Sequence, residues 1–347
     1  MRTNRLLFAS THSDAGKTSI IIGICKNIDK KCSYAKPMGD RLLYKKKRLW
    51  DHDSALMTRL FNLDELPELM TIGFEHTKLQ YMYDDDSIEE KLNDSIRTIE
   101  ANSEHLFMEG GSNLQFGSFV NLSALDIAKN TDTKVVMVVS GTHEQILDDL
   151  TYISKNIDKK LLHGVIINKV IDLDEFKSNF IEHIDSLGLK IFGIIPYDNT
   201  LETLTLRQVS EVLLAKVITC PDNLDGYIHH IDVGAMSAGR IVEKNNILTS
   251  KNNLVVTSGD RADIVLEALQ RQTVGIILTN GILPEAKIIS VAEQRKVPLL
   301  SVNCNTFEAV KKVDDINPLI MYRDTSKIEM IKSMIGQYVN INELITG

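Results

Sequence analysis

Four cysteines, Cys25, Cys32, Cys220 and Cys304, are scattered through 347 residues, and no two form a Cys-x-x-Cys pair. That spacing excludes a disulfide framework and a zinc ribbon and reads as reduced thiols. No apolar run reaches the length of a membrane span, and no signal-peptide pattern precedes the first apolar run. A cytoplasmic protein with no membrane partner is therefore expected. Positive charge is also scarce: 39 lysines and arginines face 47 aspartates and glutamates, a formal net charge of −8. A broad nucleic-acid footprint needs a basic face, so no nucleic-acid partner is expected. The one basic run, Lys45-Lys46-Lys47-Arg48, reads as a solvated loop, with steering of an acidic substrate as the lesser reading. Apart from His12, the histidines, including the His229-His230 pair, lack metal-ligand spacing. No Ser-His-Asp or Cys-His arrangement is legible, and there is no short-period repeat or low-complexity tract.

What is present is the balance of a globular protein, 43% hydrophobic and 25% charged, in a chain long enough for two domains. Strand-like apolar runs at residues 6–9, 34–39, 106–111, 134–140, 164–170 and 191–196 alternate with helix-compatible stretches. Continuous valine and isoleucine without alternation suits strands buried on both faces. Repeated β-α order implies an α/β fold with a doubly wound parallel sheet, whose ligands sit at the carboxyl ends of the strands. A smaller α/β unit follows, with strand-like runs at residues 227–233, 253–261, 274–281 and 298–302. The expected division is residues 1–216 for the first domain and 217–347 for the second, which carries a helical tail.

The first strand runs into Thr11-His12-Ser13-Asp14-Ala15-Gly16-Lys17-Thr18, and an apolar helix-like run starting at Ser19 leads out. Strand, tight loop and Gly-Lys-Thr opening a helix is the layout of a P-loop, although Thr11 stands where the first glycine belongs. Backbone N–H groups and the helix dipole converge on one spot suited to phosphate. Residues Thr11 to Ser19, each in turn, are thus candidates for nucleotide binding. Lys17 would reach the β- and γ-phosphates, and Thr18 would ligate Mg²⁺, so ATP and Mg²⁺ are the expected cofactors. For His12, contact with phosphate or substrate and simple exposure both stay open. Lys36, at the end of the second strand, is a candidate second cation. Asp51 and Asp53 precede a helix, where one reading is Mg²⁺ ligation by Asp53 and the other N-capping. Glu109 ends the third strand before Gly110-Gly111 and suits Mg²⁺ ligation or water orientation. Asn168 can read a purine edge, with Pro196 over the base.

Together these pieces resemble dethiobiotin synthetase. They are the loop itself, Lys36-Pro37, Asp53-Ser54-Ala55-Leu56, Met108-Glu109-Gly110-Gly111, residues 164–170 and Ile194-Ile195-Pro196. The resemblance spans roughly residues 4–215. It implies that Lys36 contacts phosphate and a carboxylated substrate, that Asp53 and Glu109 hold Mg²⁺, and that Asn168 meets adenine. The extra signature lysine of one P-loop subgroup would fall at His12 and is absent. The second unit is similar to a DRTGG domain over about residues 219–325. Its carrying residues are Val233-Gly234-Ala235-Met236-Ser237, Ser258-Gly259-Asp260-Arg261 and Ile277-Leu278-Thr279-Asn280-Gly281, with Asn280 where many members have glycine. By its chemistry, Arg261 suits a phosphate or carboxylate, or it serves the loop alone with Asp260 capping the following helix. The pairing of the two domains resembles the region upstream of the catalytic domain in long bacterial phosphate acetyltransferases. The acetyltransferase domain itself is not among these residues.

Two functions follow as expectations. One is a nucleotide-dependent regulator or sensor ATPase with a metabolic-enzyme partner. The other is an ATP-dependent ligase that phosphorylates a carboxylate or carbamate, with an acidic small molecule as acceptor and with Lys17 and Lys36 as the catalytic cations that neutralise developing charge. Association into a homo-oligomer is implied by the resemblance alone.

Overall fold

The apolar runs form strands covered on both faces. In chain order the elements are β1 (Asn4–Ser10), α1 (Lys17–Asn27), β2 (Cys32–Ala35), β3 (Leu42–Lys45), β4 (Arg48–Asp51), α2 (His52–Phe61), α3 (His76–Met82), α4 (Asp85–Glu100), β5 (His105–Glu109), α5 (Ala124–Asn130), β6 (Lys134–Val139), α6 (His143–Asn156), β7 (Leu162–Val170), α7 (Leu173–Ser186) and β8 (Ile191–Pro196). The computed structural model describes residues 3–45, 47–101, 103–234 and 252–346. Six of these strands make a parallel sheet in the order β2-β5-β1-β6-β7-β8. Leu7, Phe8, Met108, Val136 and Ile166 are fully buried in it, as strands with helices on both faces must be. The helices bury one stripe each: in α4, Ile88, Leu92, Ile96 and Ile99 point inward at helical spacing. Strand order reverses at β1, with β2 and β5 to one side and β6 to β8 to the other. A crevice therefore opens at the carboxyl end of β1, where residues 11–16 lie.

An antiparallel hairpin, β3 with β4, interrupts the β-α alternation and pairs Leu42 with Asp51 and Tyr44 with Leu49. The basic run supplies its turn, where Lys47 is left-handed at φ 62; Lys46 lies outside the described residues.

The chain divides into two compact units, residues 1–198 with 320–347, and residues 199–319. The second contains β9 (Leu204–Thr205), α8 (Leu206–Val212), β10 (Lys216–Val217), β11 (Tyr227–Ile228), β12 (His230–Val233), β13 (Asn253–Ser258), α9 (Ala262–Gln270), β14 (Thr273–Thr279), α10 (Ala286–Arg295), β15 (Leu299–Ser301) and α11 (Thr306–Asp314). Its sheet runs β10-β15-β14-β13-β12, parallel except for the edge strand β10. Neighbouring residues of β13 serve opposite faces: Val255 packs with Ile264 and Leu299, and Leu254 and Val256 with Leu206 and Val209. Ala235-Met236-Ser237 lie outside the described residues.

The sequence groups the helical tail with residues 217–347 by chain order and leaves open which domain it packs on; residues 320–347 belong to the first unit. Packing explains why. In α12 (Thr325–Tyr338), Ile335 sits on Gly23 of α1, where an added Cβ would lie 2.2 Å from Ile335 Cγ1. Asn27 Nδ2 donates to Lys332 O at 2.8 Å. Beyond it, Asn340 N donates to Phe192 O at 2.8 Å, and α13 (Ile341–Thr346) receives a hydrogen bond from Asn4 at Ile345 O. Among the described residues, no helix is long and apolar enough to cross a membrane.

Gly23→Val would force the added side chain into Ile335 Cγ1 and Cβ. It is expected to cost about 1–3 kcal/mol of stability. Urea denaturation of the purified variant checks this, and an unchanged midpoint would contradict the seating of α12 on α1.

Candidate nucleotide site at the end of β1

The loop after β1 is shaped by two left-handed residues, Asp14 at φ 57 and Gly16 at φ 92. Gly16 is forced: a Cβ there would lie 2.3 Å from Asn168 Nδ2. That same amide nitrogen donates to Ala15 O at 2.9 Å, so Asn168, at the end of β7, braces the loop from beneath. Gly16 is also the N-cap of α1 and provides no capping side chain. The first N–H groups of this helix are therefore left for a ligand.

Lys17 is buried, and its ammonium donates to Ser10 Oγ at 2.9 Å, a neutral partner. Burial lowers its pKa, with Glu109 opposing the shift and Lys36 adding to it. A buried ammonium held by a hydroxyl at an uncapped helix start is a receptor for an anion. Thr11, the departure from glycine, has a task of its own. Its hydroxyl donates to Asp149 Oδ2 at 2.6 Å, tying the loop to α6. His12 is exposed on the rim, with Nε2 3.3 Å from the same carboxylate oxygen. Ser13 and Asp14 are exposed too, and Ser19 is half-buried.

Beside the loop lies a buried charge cluster. Lys36 is 1% exposed. Its ammonium is 2.5 Å from Asp40 Oδ1 and 2.6 Å from Asp53 Oδ2, with Asp51 and Glu109 each at 3.9 Å. Asp51 is the N-cap of α2 and accepts from Asp53 N at 2.9 Å and Ser54 N at 3.3 Å. The capping read as an alternative for this pair thus falls to Asp51, and the Asp53 side chain is left to face Lys36. Glu109 accepts from Thr18 Oγ1 at 3.1 Å and from Tyr34 Oη at 2.8 Å. Arg41 pairs with Asp14 and lies 3.8 Å from Asp53 Oδ1, so it bridges the loop and the cluster.

The environments separate these carboxyls. Burial pushes Glu109 up to about 7, with Lys36 opposing and Asp53 adding to the rise. Burial likewise raises Asp51 to about 6 against the pull of Lys36. Burial also acts against Asp53, but Lys36, with His52 and Arg41, holds it well below the usual carboxylate range. Burial works against the Lys36 ammonium as well, and Asp53, Glu109, Asp51 and Asp40 together hold its pKa well above the ordinary value.

The structure thus gathers Lys17, Thr18, Lys36, Asp53 and Glu109. Pro196 stands apart at the end of β8, paired with Val170 of β7. The sequence reading missed Tyr34, Asp40, Arg41 and Asp149. Among the described residues, no group of three or more His, Cys, Asp and Glu side chains is arranged to hold a metal ion. Thr18, Asp53 and Glu109 nonetheless offer hard oxygens, and Thr18 and Glu109 already touch. That donor set fits Mg²⁺, which is commonly held by one or two carboxylates with phosphate and water completing its shell.

In the second unit, a Cβ on Gly259 would lie 1.9 Å from Ile282 O, so the Gly259-Asp260-Arg261 turn is closed over by backbone. The Arg261 fork binds Asp263 through Nε and Nη2, both at 3.1 Å. Arg261 occupies the N-cap position of α9 and no side chain caps that helix, so Asp260 does not cap it. Asn280 is left-handed at φ 61, a conformation that asparagine tolerates after glycine.

The family described as AAA domain matches residues 4–205, and the DRTGG domain matches residues 208–316. A phosphate acetyltransferase of Synechocystis sp. is 25% identical over 370 residues, covering 99% of this chain and 51% of that protein. The chain spans about half the length of the curated relatives it matches. Among solved structures, a Cyanothece McdA–ATP complex is 11% identical with a TM-score of 0.39, covering 57% of this chain and 84% of that one. The CBS and DRTGG domains of a Clostridium perfringens pyrophosphatase, complexed with the activator diadenosine tetraphosphate, are 16% identical with a TM-score of 0.28. They cover 44% of this chain and 72% of that one.

Glu109 has a pH signature. Its folded pKa of about 7 lies above the ordinary 4.5, so its contribution to stability is full at acid pH and is lost as pH rises between those values. Glu109→Gln removes that dependence. The variant is expected to match wild type near about pH 5 and to exceed it by up to about 3 kcal/mol near about pH 8. Denaturation midpoints at the two pH values check this, and parallel curves would contradict it.

Proposed function

The chain belongs to the AAA domain family, and from that premise we propose that it is an ATP-binding, Mg²⁺-dependent regulatory protein. The carrying observation is Lys17, a buried ammonium whose partner is the Ser10 hydroxyl, set at a helix start with no capping side chain. In this reading, Lys17 and the N–H groups of residues 14–18 take the β- and γ-phosphates. Thr18, Asp53 and Glu109 hold Mg²⁺, which when bound offsets the charge of the phosphates. The cluster's carboxylates, Asp40, Asp51, Asp53 and Glu109, outnumber Lys36 and Lys17, and this supports a further cation there. Glu109, its carboxyl pushed up to about 7 by burial, ionises fully beside a divalent cation. Asn168 and Pro196 lie on the strands where the base would rest, although the Asn168 amide already braces Ala15.

Regulation is the finer part of the proposal. A DRTGG domain follows the P-loop domain, and the matched phosphate acetyltransferase is about twice the length spanned here. Nucleotide occupancy would be reported to a protein partner rather than spent on an acidic acceptor.

Calorimetry with ATP and Mg²⁺ tests the binding claim. Lys17→Ala is expected to weaken ATP by about 10–100-fold, the loss of one charge-assisted contact to phosphate. Chelating Mg²⁺ is expected to weaken wild type more than Glu109→Gln. A wild type that binds no nucleotide, or a Lys17→Ala variant that binds undiminished, would sink the reading.

A further inference from the structure

Lys17, Lys36 and Arg41 are held in three different ways. Lys17 is buried and has the Ser10 hydroxyl at 2.9 Å. Lys36 is buried among four carboxylates. Arg41 reaches across to the loop after β1. Its Nη2 pairs with Asp14 Oδ1 of that loop, and its Nη1 lies 3.8 Å from Asp53 Oδ1.

The backbone of Arg41 is anchored at the start of α2. Arg41 N donates to Asp51 Oδ2 at 3.3 Å, and Arg41 O accepts from His52 N at 2.9 Å. The side chain is held by ion pairs and is 32% exposed, with that of its partner Asp14 44% exposed. A pair this open to solvent contributes little and is readily exchanged for a stronger one. Burial opposes the guanidinium charge, but Asp53, Asp14, Asp40 and Glu109 outweigh it and hold the pKa above its ordinary value. Arg41 is therefore a permanent cation on a fixed root, with an exchangeable partner.

That partner sits where the exchange matters. Asp14 is left-handed at φ 57 and begins the stretch, residues 14–18, whose N–H groups take the β- and γ-phosphates in the nucleotide reading. A terminal phosphate carries more charge than one carboxylate, and its oxygens match the planar fork of an arginine.

We infer that Arg41 is the specificity-determining residue for the terminal phosphate: its guanidinium exchanges Asp14 for the γ-phosphate of ATP, a partner that ADP does not offer. The inference rests on the nucleotide-site reading and adds to it a means of telling ATP from ADP. Lys17 and the loop N–H groups serve the β-phosphate of both nucleotides, whereas Arg41 serves ATP alone. Because β3 begins at Leu42, the next residue, the exchange takes place at the root of the hairpin.

The test is calorimetry on the full chain with ATP and with ADP, each with Mg²⁺. Arg41→Ala and Arg41→Gln are made in parallel, the glutamine keeping a hydrogen-bonding group should the alanine variant fold poorly. Both are expected to weaken ATP by about 10–30-fold and ADP by about twofold or less. Arg41→Lys, which keeps the charge without the fork, is expected to recover part of the loss. Asp14→Asn leaves the guanidinium uncommitted and is expected to tighten ATP by about 2–5-fold. A pair with a merely structural role would make Asp14→Asn weaken ATP instead, and that result would overturn the inference. The double variant Arg41→Ala/Asp14→Asn separates contact with phosphate from simple neutralisation of Asp14. It is expected to stay at least about fivefold weaker for ATP than wild type, and recovery to wild-type affinity would count against the role of Arg41. Equal losses of ATP and ADP in Arg41→Ala or Arg41→Gln would also overturn it. A wild type that binds neither nucleotide sinks the nucleotide reading and this inference with it. A wild type that binds both, with variants that do not separate them, sinks only the role of Arg41.

Discussion

The first unit depends on one ammonium. Lys36 lies just past β2, Asp40 opens the connection to the hairpin, Asp51 closes the hairpin, Asp53 starts α2 and Glu109 ends β5. Five pieces of chain converge on a single nitrogen. Without it, Asp53 could not stay ionised at this depth, and Asp51 and Glu109, already raised by burial, would rise further. Buried ion pairs of this kind add little net stability, because desolvation offsets the attraction. Their effect is positional: each carboxylate is held within a few ångströms of the P-loop. Tyr34 extends the arrangement, since burial raises its pKa and keeps the phenol neutral as a donor to Glu109.

Much of this was legible in the sequence. Local patterns carried the parallel sheet, the loop after β1 and the strand-end positions of Lys36 and Glu109, because each depends on a short stretch of chain. Asp51 and Asp53 were recognised as a pair, but capping and metal ligation draw on the same carboxylate chemistry, and only the folded helix start shows that Asp51 is the cap. Asp149 had no signal at all. Its bond to Thr11 spans 138 residues and joins a loop to the middle of an amphipathic helix. Asp40 and Arg41 were hidden for another reason. They precede a hairpin that interrupts the β-α rhythm, and nothing in a run such as Gly39-Asp40-Arg41 separates a buried carboxylate from a turn.

The substitutions relative to a consensus have physical answers here. Thr11 gives up glycine's freedom and gains an anchor on α6, while the sharp geometry is left to Asp14 and Gly16. Asn280 likewise keeps the left-handed backbone that glycine would provide. In both places the backbone demand is met, which is why neither departure disturbs the fold.

The seating of α12 and α13 on the first unit also sets a timetable. Asn4 in β1 bonds to residue 345, so the sheet that contains β1 is fully covered only once α12 and α13 are in place. Residues 199–319 form a unit of their own contacts and are free to fold while the first unit still lacks its final layer. At synthesis rates of about 5–20 residues per second, the exposed flank of α1 and the edge strand β8 wait on the order of ten seconds or more for that cover. Gly23, which must stay bare for Ile335, presents an unfilled apolar notch throughout that interval. The nascent first unit is thus most vulnerable to misassociation until residues 325–346 have emerged, and their seating on α1 and β8 is what covers it.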